Sequence, residues 1–199
     1  MSSELKLTNL KHASSSSNNL VLASDGNVSI TNTLSAGALG DNVTGKLTQM
    51  TSQSLSGEGS NTFTVPTTTK KITVVFQGVS EGGGSNILLR IGTGGFLSTS
   101  GYSGTAASLG NGAHPGVAST TSGVELPTPN AANVISGICD WCNITGNTWV
   151  GKYQATLTNS AYQYQGITQI TLSGAINIVG IMDSADAFDA GDVNVFYSH

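Results

Sequence analysis

From Lys71 onward the apolar side chains fall on alternate positions within short runs, and glycine or polar turns close each run. A period of two suits a strand with one buried face and cannot lay an apolar stripe along a helix. Lys71–Gly78 carries Ile72, Val74 and Phe76 in phase, and Asn86–Gly92 carries Ile87, Leu89 and Ile91. Between them Glu81-Gly82-Gly83-Gly84-Ser85 reads as the turn of an antiparallel pair. Further strands are predicted at Thr62–Val65, Asn133–Cys142, Thr148–Leu157, Ile167–Leu172, Ala175–Met182 and Asp192–Ser198. The breaks at Thr145-Gly146-Asn147, Asn159-Ser160, Ser173-Gly174 and Asp189-Ala190-Gly191 have turn chemistry. About eight antiparallel strands without a helical pattern predict an all-β fold, an antiparallel two-sheet sandwich that is jelly-roll-like.

Composition points the same way. Ser, Thr, Asn and Gly make up nearly half of the 199 residues, and all four are poor helix formers. Hydrophobic residues still amount to 38%, enough for a core and against wholesale disorder. The chain carries seven Lys and Arg and a net charge of −4, so it has no basic field with which to neutralise phosphates; nucleic acid is not an expected partner. No apolar run approaches the roughly 18–20 residues that span a bilayer, so membrane insertion is not expected. Met1-Ser2-Ser3-Glu4-Leu5-Lys6 lacks the pattern of a secretory signal, and synthesis and folding in a cytoplasm is the expectation. Two cysteines cannot supply a disulfide framework.

The start of the chain differs from the rest. Leu5–Thr8, Leu20–Ala23 and Asn27–Thr31 are brief extended pieces, and Asp25-Gly26 is a turn signal that would join the last two as a hairpin. Its few large side chains cannot stabilise an isolated hairpin in water. The segment is therefore expected to dock on something else, through Leu5, Leu7, Leu10, Leu20, Leu22, Val28 and Ile30. The resulting division is an attachment module over residues 1–47, a Gly, Ser and Thr-rich linker over 48–60, and the sandwich over 61–199. Residues 93–130 are far longer than an ordinary connection and are expected to form a functional or interface loop with short strands of its own.

Few residues suggest chemistry. Cys139-Asp140-Trp141-Cys142 has redox-dithiol or zinc spacing, but in a strand its two cysteines point to opposite faces, and no second pair exists. Asp183, Asp186, Asp189 and Asp192 recur every third residue, which fits either a calcium loop or a solvated acidic turn. Of the three histidines, His12 falls in the attachment module, His199 is the last residue, and His114 sits in Gly112-Ala113-His114-Pro115-Gly116 without a nucleophile elbow. No catalytic residue, metal or cofactor is nominated, and no enzymatic activity is expected. Val74, Phe76, Trp149, Tyr153 and Tyr197 are expected in the core, and Phe188, alone among Asp, Ala and Gly, is expected to plug the end of the sandwich. Tyr102, His114 and Trp141 are the candidates for a receptor or ligand surface.

Two stretches resemble a known group. Leu5-Lys6-Leu7-Thr8-Asn9-Leu10-Lys11-His12, with Ser14–Asn19, Leu20-Val21-Leu22 and Asp25-Gly26-Asn27-Val28, resembles the N-terminal module of structural proteins from marine tailed phages, especially cyanophages. Lys71–Ser80, Ser85–Leu89, Thr99–Tyr102, Asn147–Val150 and Asp186–Tyr197 resemble the C-terminal β-domain of fibre-like and appendage proteins of the same viruses. The chain lacks the long repetitive shaft of a full tail fibre. The resemblance implies a virion protein made in the host cytoplasm, whose N-terminus binds a tail adaptor, tail tube or capsid and whose sandwich projects as a knob. Its further implications are a homotrimer and contact with a host-surface glycan or protein. A capsid decoration protein, and a carbohydrate-binding module or depolymerase, are the alternatives.

Overall fold

The computed structural model describes residues 9–10, 20–22, 28–29, 46–110, 117–127 and 130–199. The chain divides into two units, Met1–Val43 and Thr44–His199. In the first, β1 (Asn9–Leu10), β2 (Leu20–Leu22) and β3 (Val28–Ser29) form an antiparallel sheet in that order. Val21 faces Ser29 and Leu22 faces Val28, an antiparallel pairing centred on residue 25. The expected attachment residues Leu10, Leu20, Leu22 and Val28 lie in these strands; Leu5, Leu7 and Ile30 lie outside the described residues.

The second unit is all-β, with no helix among the described residues. Its strands are β4 (Leu47–Gln49), β5 (Gln53–Ser54), β6 (Ser60–Thr64), β7 (Lys71–Glu81), β8 (Asn86–Thr93), β9 (Phe96–Leu97) and β10 (Ser103–Gly110). They continue with β11 (Val117–Thr120), β12 (Val124–Pro127), β13 (Ile135–Thr145), β14 (Thr148–Leu157), β15 (Tyr162–Thr171), β16 (Ile178–Asp183) and β17 (Phe188–Ser198). The large sheet runs β11-β10-β15-β14-β13-β7-β17-β4, with β5 also on β17. The small sheet runs β12-β8-β16-β6, with β9 on β8. All pairings are antiparallel, and the two sheets make a sandwich. The chain passes repeatedly from one sheet to the other, as in a jelly roll, but β13, β14 and β15 lie side by side as a meander.

Alternation builds the core. Ile72, Val74 and Phe76 of β7, Cys139 and Trp141 of β13, and Trp149, Tyr153 and Leu157 of β14 point inward from the large sheet. Ile87, Leu89 and Ile91 of β8, Val124 and Leu126 of β12, and Val179 and Ile181 of β16 come from the small sheet. Each such side chain, fully buried, stabilises the fold by about 1.5–3 kcal/mol before the entropy of ordering is counted. Phe188 is also buried, at the start of β17, while Tyr197 is partly buried against the core.

The linker expected over residues 48–60 is instead part of the sandwich. β4 and β5 pair with β17, the Met50 and Leu55 N–H groups donate to the carbonyls of Val195 (2.9 Å) and Gly191 (2.8 Å), and Leu55 is fully buried. Backbone pairing needs no apolar alternation, so an edge segment rich in Ser, Thr and Gln looks like a tether in the sequence. The stretch 93–130 likewise contains β9 to β12, and β10 is an interior strand between β11 and β15. Its small residues reflect crowding: a Cβ on Gly104 would meet the carbonyl of Ile167 on the neighbouring strand.

Candidate functional site

Tyr102 and Trp141, expected on a ligand surface, are core residues. Trp141 is fully buried and Tyr102 nearly so, and their rings pack with centroids 6.1 Å apart at 60°. The Tyr102 hydroxyl accepts from the Ile91 N–H and donates to the Ile91 carbonyl, each at 3.0 Å, which ties residue 102 to the middle of β8. Burial pushes the phenol up to about 12, the Ile91 hydrogen bond and the charge of Arg90 opposing that rise. Trp141 faces inward because it shares parity with Ile135 and Cys139, and it lies flat over Gly151, where a Cβ would come within 2.7 Å of its ring. The third candidate, His114, lies outside the described residues, as does His12. His199 hydrogen-bonds Thr68 through its ring Nδ1 at 2.8 Å and packs edge-on against Tyr197.

The two cysteines occupy opposite faces, Cys139 buried and Cys142 exposed, and both are free thiols. Burial, and then the neighbouring Asp140 carboxylate, push the Cys139 thiol far up, so it stays protonated. Asp140 itself points outward, accepting from the Thr73 hydroxyl at 2.6 Å with the Lys71 ammonium 3.9 Å away.

The four regularly spaced aspartates do not converge. Asp183 ends β16, Asp186 lies in the turn, and Asp189 and Asp192 lie on β17, where Asp192 pairs opposite Ser54 and Gln77. Partial burial pushes the Asp183 carboxyl up, but the Ala185 and Asp186 N–H groups (2.8 and 2.9 Å) and the Ser85 hydroxyl outweigh it; the group titrates below the usual Asp value. Glu81, which the sequence reading passed over, is fully buried, and its Oε2 accepts from the N–H groups of Gly83 and Gly84, both at 2.8 Å. An acid immediately before three glycines was the available signal: it pins a turn that glycine alone would leave loose. Among the described residues no group of three or more His, Cys, Asp or Glu is placed to hold a metal ion.

A row of shallow depressions, a trough, lies on the outer face of the large sheet, along β14 and β15. Cross-strand pairs Lys152–Ile167, Gln154–Gln165 and Thr156–Gln163 point outward there, and all six side chains are exposed. Two depressions, of about 310 and 330 Å³, lie on either side of the Gln154–Gln165 pair and share both glutamines. Ser136 and Thr156 border one, Thr105 and Lys152 the other. Gly137 and Gly166 also border them, but a Cβ at either would point to the core side, toward Phe76 and Ala155 or toward Tyr153. Gly166 cannot be anything larger, since a Cβ would meet the Thr105 carbonyl and lie 2.5 Å from the Tyr153 ring. A third depression, bordered by Ser160 and Tyr162, continues from Thr156 and Gln163. Amides and hydroxyls dominate the lining, Lys152 is its one cation, and no carboxylate borders the first two depressions. The arrangement can donate and accept hydrogen bonds but holds no nucleophile paired with a base.

Comparison with protein-family models, curated proteins and solved structures finds no match to the chain.

Proposed function

We propose that the chain is a non-enzymatic structural protein of a tailed-phage particle, held on the virion by its N-terminal unit and presenting the sandwich to the host surface. The observation that carries this reading is the contrast between the two units. Among the described residues, Met1–Val43 shows strands of two or three residues, whereas Thr44–His199 closes a core of its own. Strands that short do not sustain a fold alone and call for a partner surface. The resemblance of both units to phage structural proteins supports the same division of labour, with other virion proteins as partners and a homotrimer as the assembly. The open, polar outer face of β14 and β15 supplies a contact surface.

The test is cryo-electron microscopy of particles assembled with the full chain or with a chain lacking residues 2–43. Density at the tail for the full chain only is the expected outcome. Density spread over the head would make the chain a decoration protein, and equal incorporation of the shortened chain would overturn the attachment role.

A further inference from the structure

We infer that copies of the sandwich unit stack head to tail, the Lys71 end of one copy seated on the Glu81 end of the next, with Phe96 of the first in a hollow of the second. The inference goes beyond the reading of the chain as a virion protein and does not depend on it. The two ends are complementary in charge, in an apolar tip and in a receptor for that tip.

The fold separates charge along the strands. Leu47, Ser198, Lys71 and Cys142 stand in one row at one end of the large sheet, and Lys46, Lys70 and Lys71 gather there. Lys70 and Lys71 are exposed. Asp140, the one carboxylate in that half of the large sheet among the described residues, is answered by Lys71 at 3.9 Å and by Lys152 across the strand. At the opposite end Glu81 closes β7 and Asp183 closes β16, held together by Ser85. Glu58, Asp186, Asp189 and Asp192 are exposed on the same side, and no Lys or Arg of the described residues lies there. Unlike ends therefore attract and like ends repel.

The apolar tip is Phe96. Asp183 pairs near Ile87 and Ile178 pairs with Gly92, so the turn Thr93-Gly94-Gly95-Phe96 lies at the Lys71 end. Phe96 is 79% exposed, more than any other large hydrophobic among the described residues, and contributes little to the fold in that position. The receptor is a hollow of about 500 Å³ at the Glu81 end, where β10, β14 and β15 meet, bordered by Asn133, Leu157, Tyr162 and Tyr164. A cavity of about 150 Å³ already takes benzene, so a Phe ring has room among Leu157 and the two tyrosines. Tyr164 is 5% exposed, yet its hydroxyl has no hydrogen-bond partner among the described residues. The Gly94 and Gly95 backbone beside the incoming ring carries no side chain, and its carbonyls are acceptors for that hydroxyl and for the Asn133 amide. A contact between unlike ends that face opposite ways along the strands propagates, whereas a homotrimer closes on itself; the two are different interfaces.

The experiment is sedimentation velocity of the full chain from about 5 to about 200 µM, in about 50 and about 500 mM NaCl. Mass is expected to rise with concentration, with a Kd below about 100 µM in low salt and at least about fivefold weaker association in high salt. Phe96→Ser blocks the head, and Asp186→Lys with Asp189→Lys blocks the tail. All three positions are exposed, so each variant is expected to keep the parent's thermal midpoint and to stay at its basal mass at every concentration. Mixed, the two variants are expected to form a pair of twice that mass and nothing longer, because one intact head meets one intact tail. The inference is overturned if the parent's mass does not depend on concentration, if either variant associates as the parent does, or if the mixture gives no pair. Particle incorporation through residues 1–43 involves none of these residues, so the proposed function stands or falls separately.

Discussion

The two sheets treat their outer faces in opposite ways. In β14 and β15 burial alternates strictly, and every second side chain from Lys152 to Thr156 and from Gln163 to Thr171 is left to solvent. In β8 and β16 the outward residues are nearly as buried as the inward ones: Leu88 is 6% exposed and Ile178 9%. The small sheet is roofed by its own chain. Leu97 lies over Gly180, and the Arg90 side chain runs across the face, its Nε donating to the Ser122 carbonyl (2.5 Å) and its Nη1 reaching the Met182 sulfur (2.8 Å). The lesson is that one sheet is a structural backing while the other is a display surface, and polarity on the displayed face answers to solvent or ligand, not to folding.

The comparison breaks first at the shared inner face. Trp141→Ala should cost about 3–5 kcal/mol, and Phe188→Ala about 3 kcal/mol or more, measured by urea denaturation; a loss under about 1 kcal/mol would show that the site is not packed. The roof over the small sheet is tested next. Gly180→Val must displace Leu97, whose Cδ1 would lie 2.8 Å from the new Cβ, and should cost about 1–3 kcal/mol. Thr156→Val on the displayed face adds no such crowding and should change stability by less than about 0.5 kcal/mol. Equal effects would erase the distinction between the faces.

Acid stability gives a smaller and more specific signal. The Asp183 carboxyl is depressed from its ordinary 3.8, so its contribution is present above that value and is lost as pH falls through the lower folded value. Asp183→Asn should flatten the pH dependence of the thermal midpoint below about pH 4 and leave the dependence between pH 6 and 8 unchanged. An unaltered acid limb would show that the Ser85 and backbone donors do not hold the carboxylate. The smallest perturbation is chemical labelling of β13, whose two faces carry one thiol each. A maleimide should modify Cys142 in the native protein and both cysteines in denaturant, by mass spectrometry; native labelling of Cys139 would mean that the inner face opens readily.

Much of the framework was legible because large residues marked it. Ile72, Val74 and Phe76, and Ile87, Leu89 and Ile91, announce β7 and β8 by parity alone, and the two early pieces expected to pair as a hairpin do pair, as β2 and β3. The rest was hidden where pairing replaces side chains. β4, β5 and β10 consist of small and polar residues whose order comes from the strands beside them, which no local pattern records. Trp141 was misplaced although Ile135, Cys139 and Trp141 share parity, because the motif around it drew attention to chemistry. Tyr102 was misplaced because its anchor, the backbone of Ile91, cannot be read from its neighbours. The trough was visible only as the polar half of an alternation already assigned, so Gln154, Gln163 and Gln165 looked like ordinary solvent-facing residues.

Strand β17 has a consequence for synthesis. It lies between β7 and the β4–β5 edge, pairing Val195 with Val74 across more than a hundred intervening residues. Until Phe188–Ser198 emerges from the ribosome, β7 keeps one open edge, and Leu55 and Val74 lack part of their cover. At roughly 5–20 residues per second that interval lasts on the order of 5–20 s. For that time the nascent chain offers an unpaired strand to its neighbours, and copies translated from adjacent ribosomes on one message are the nearest of them.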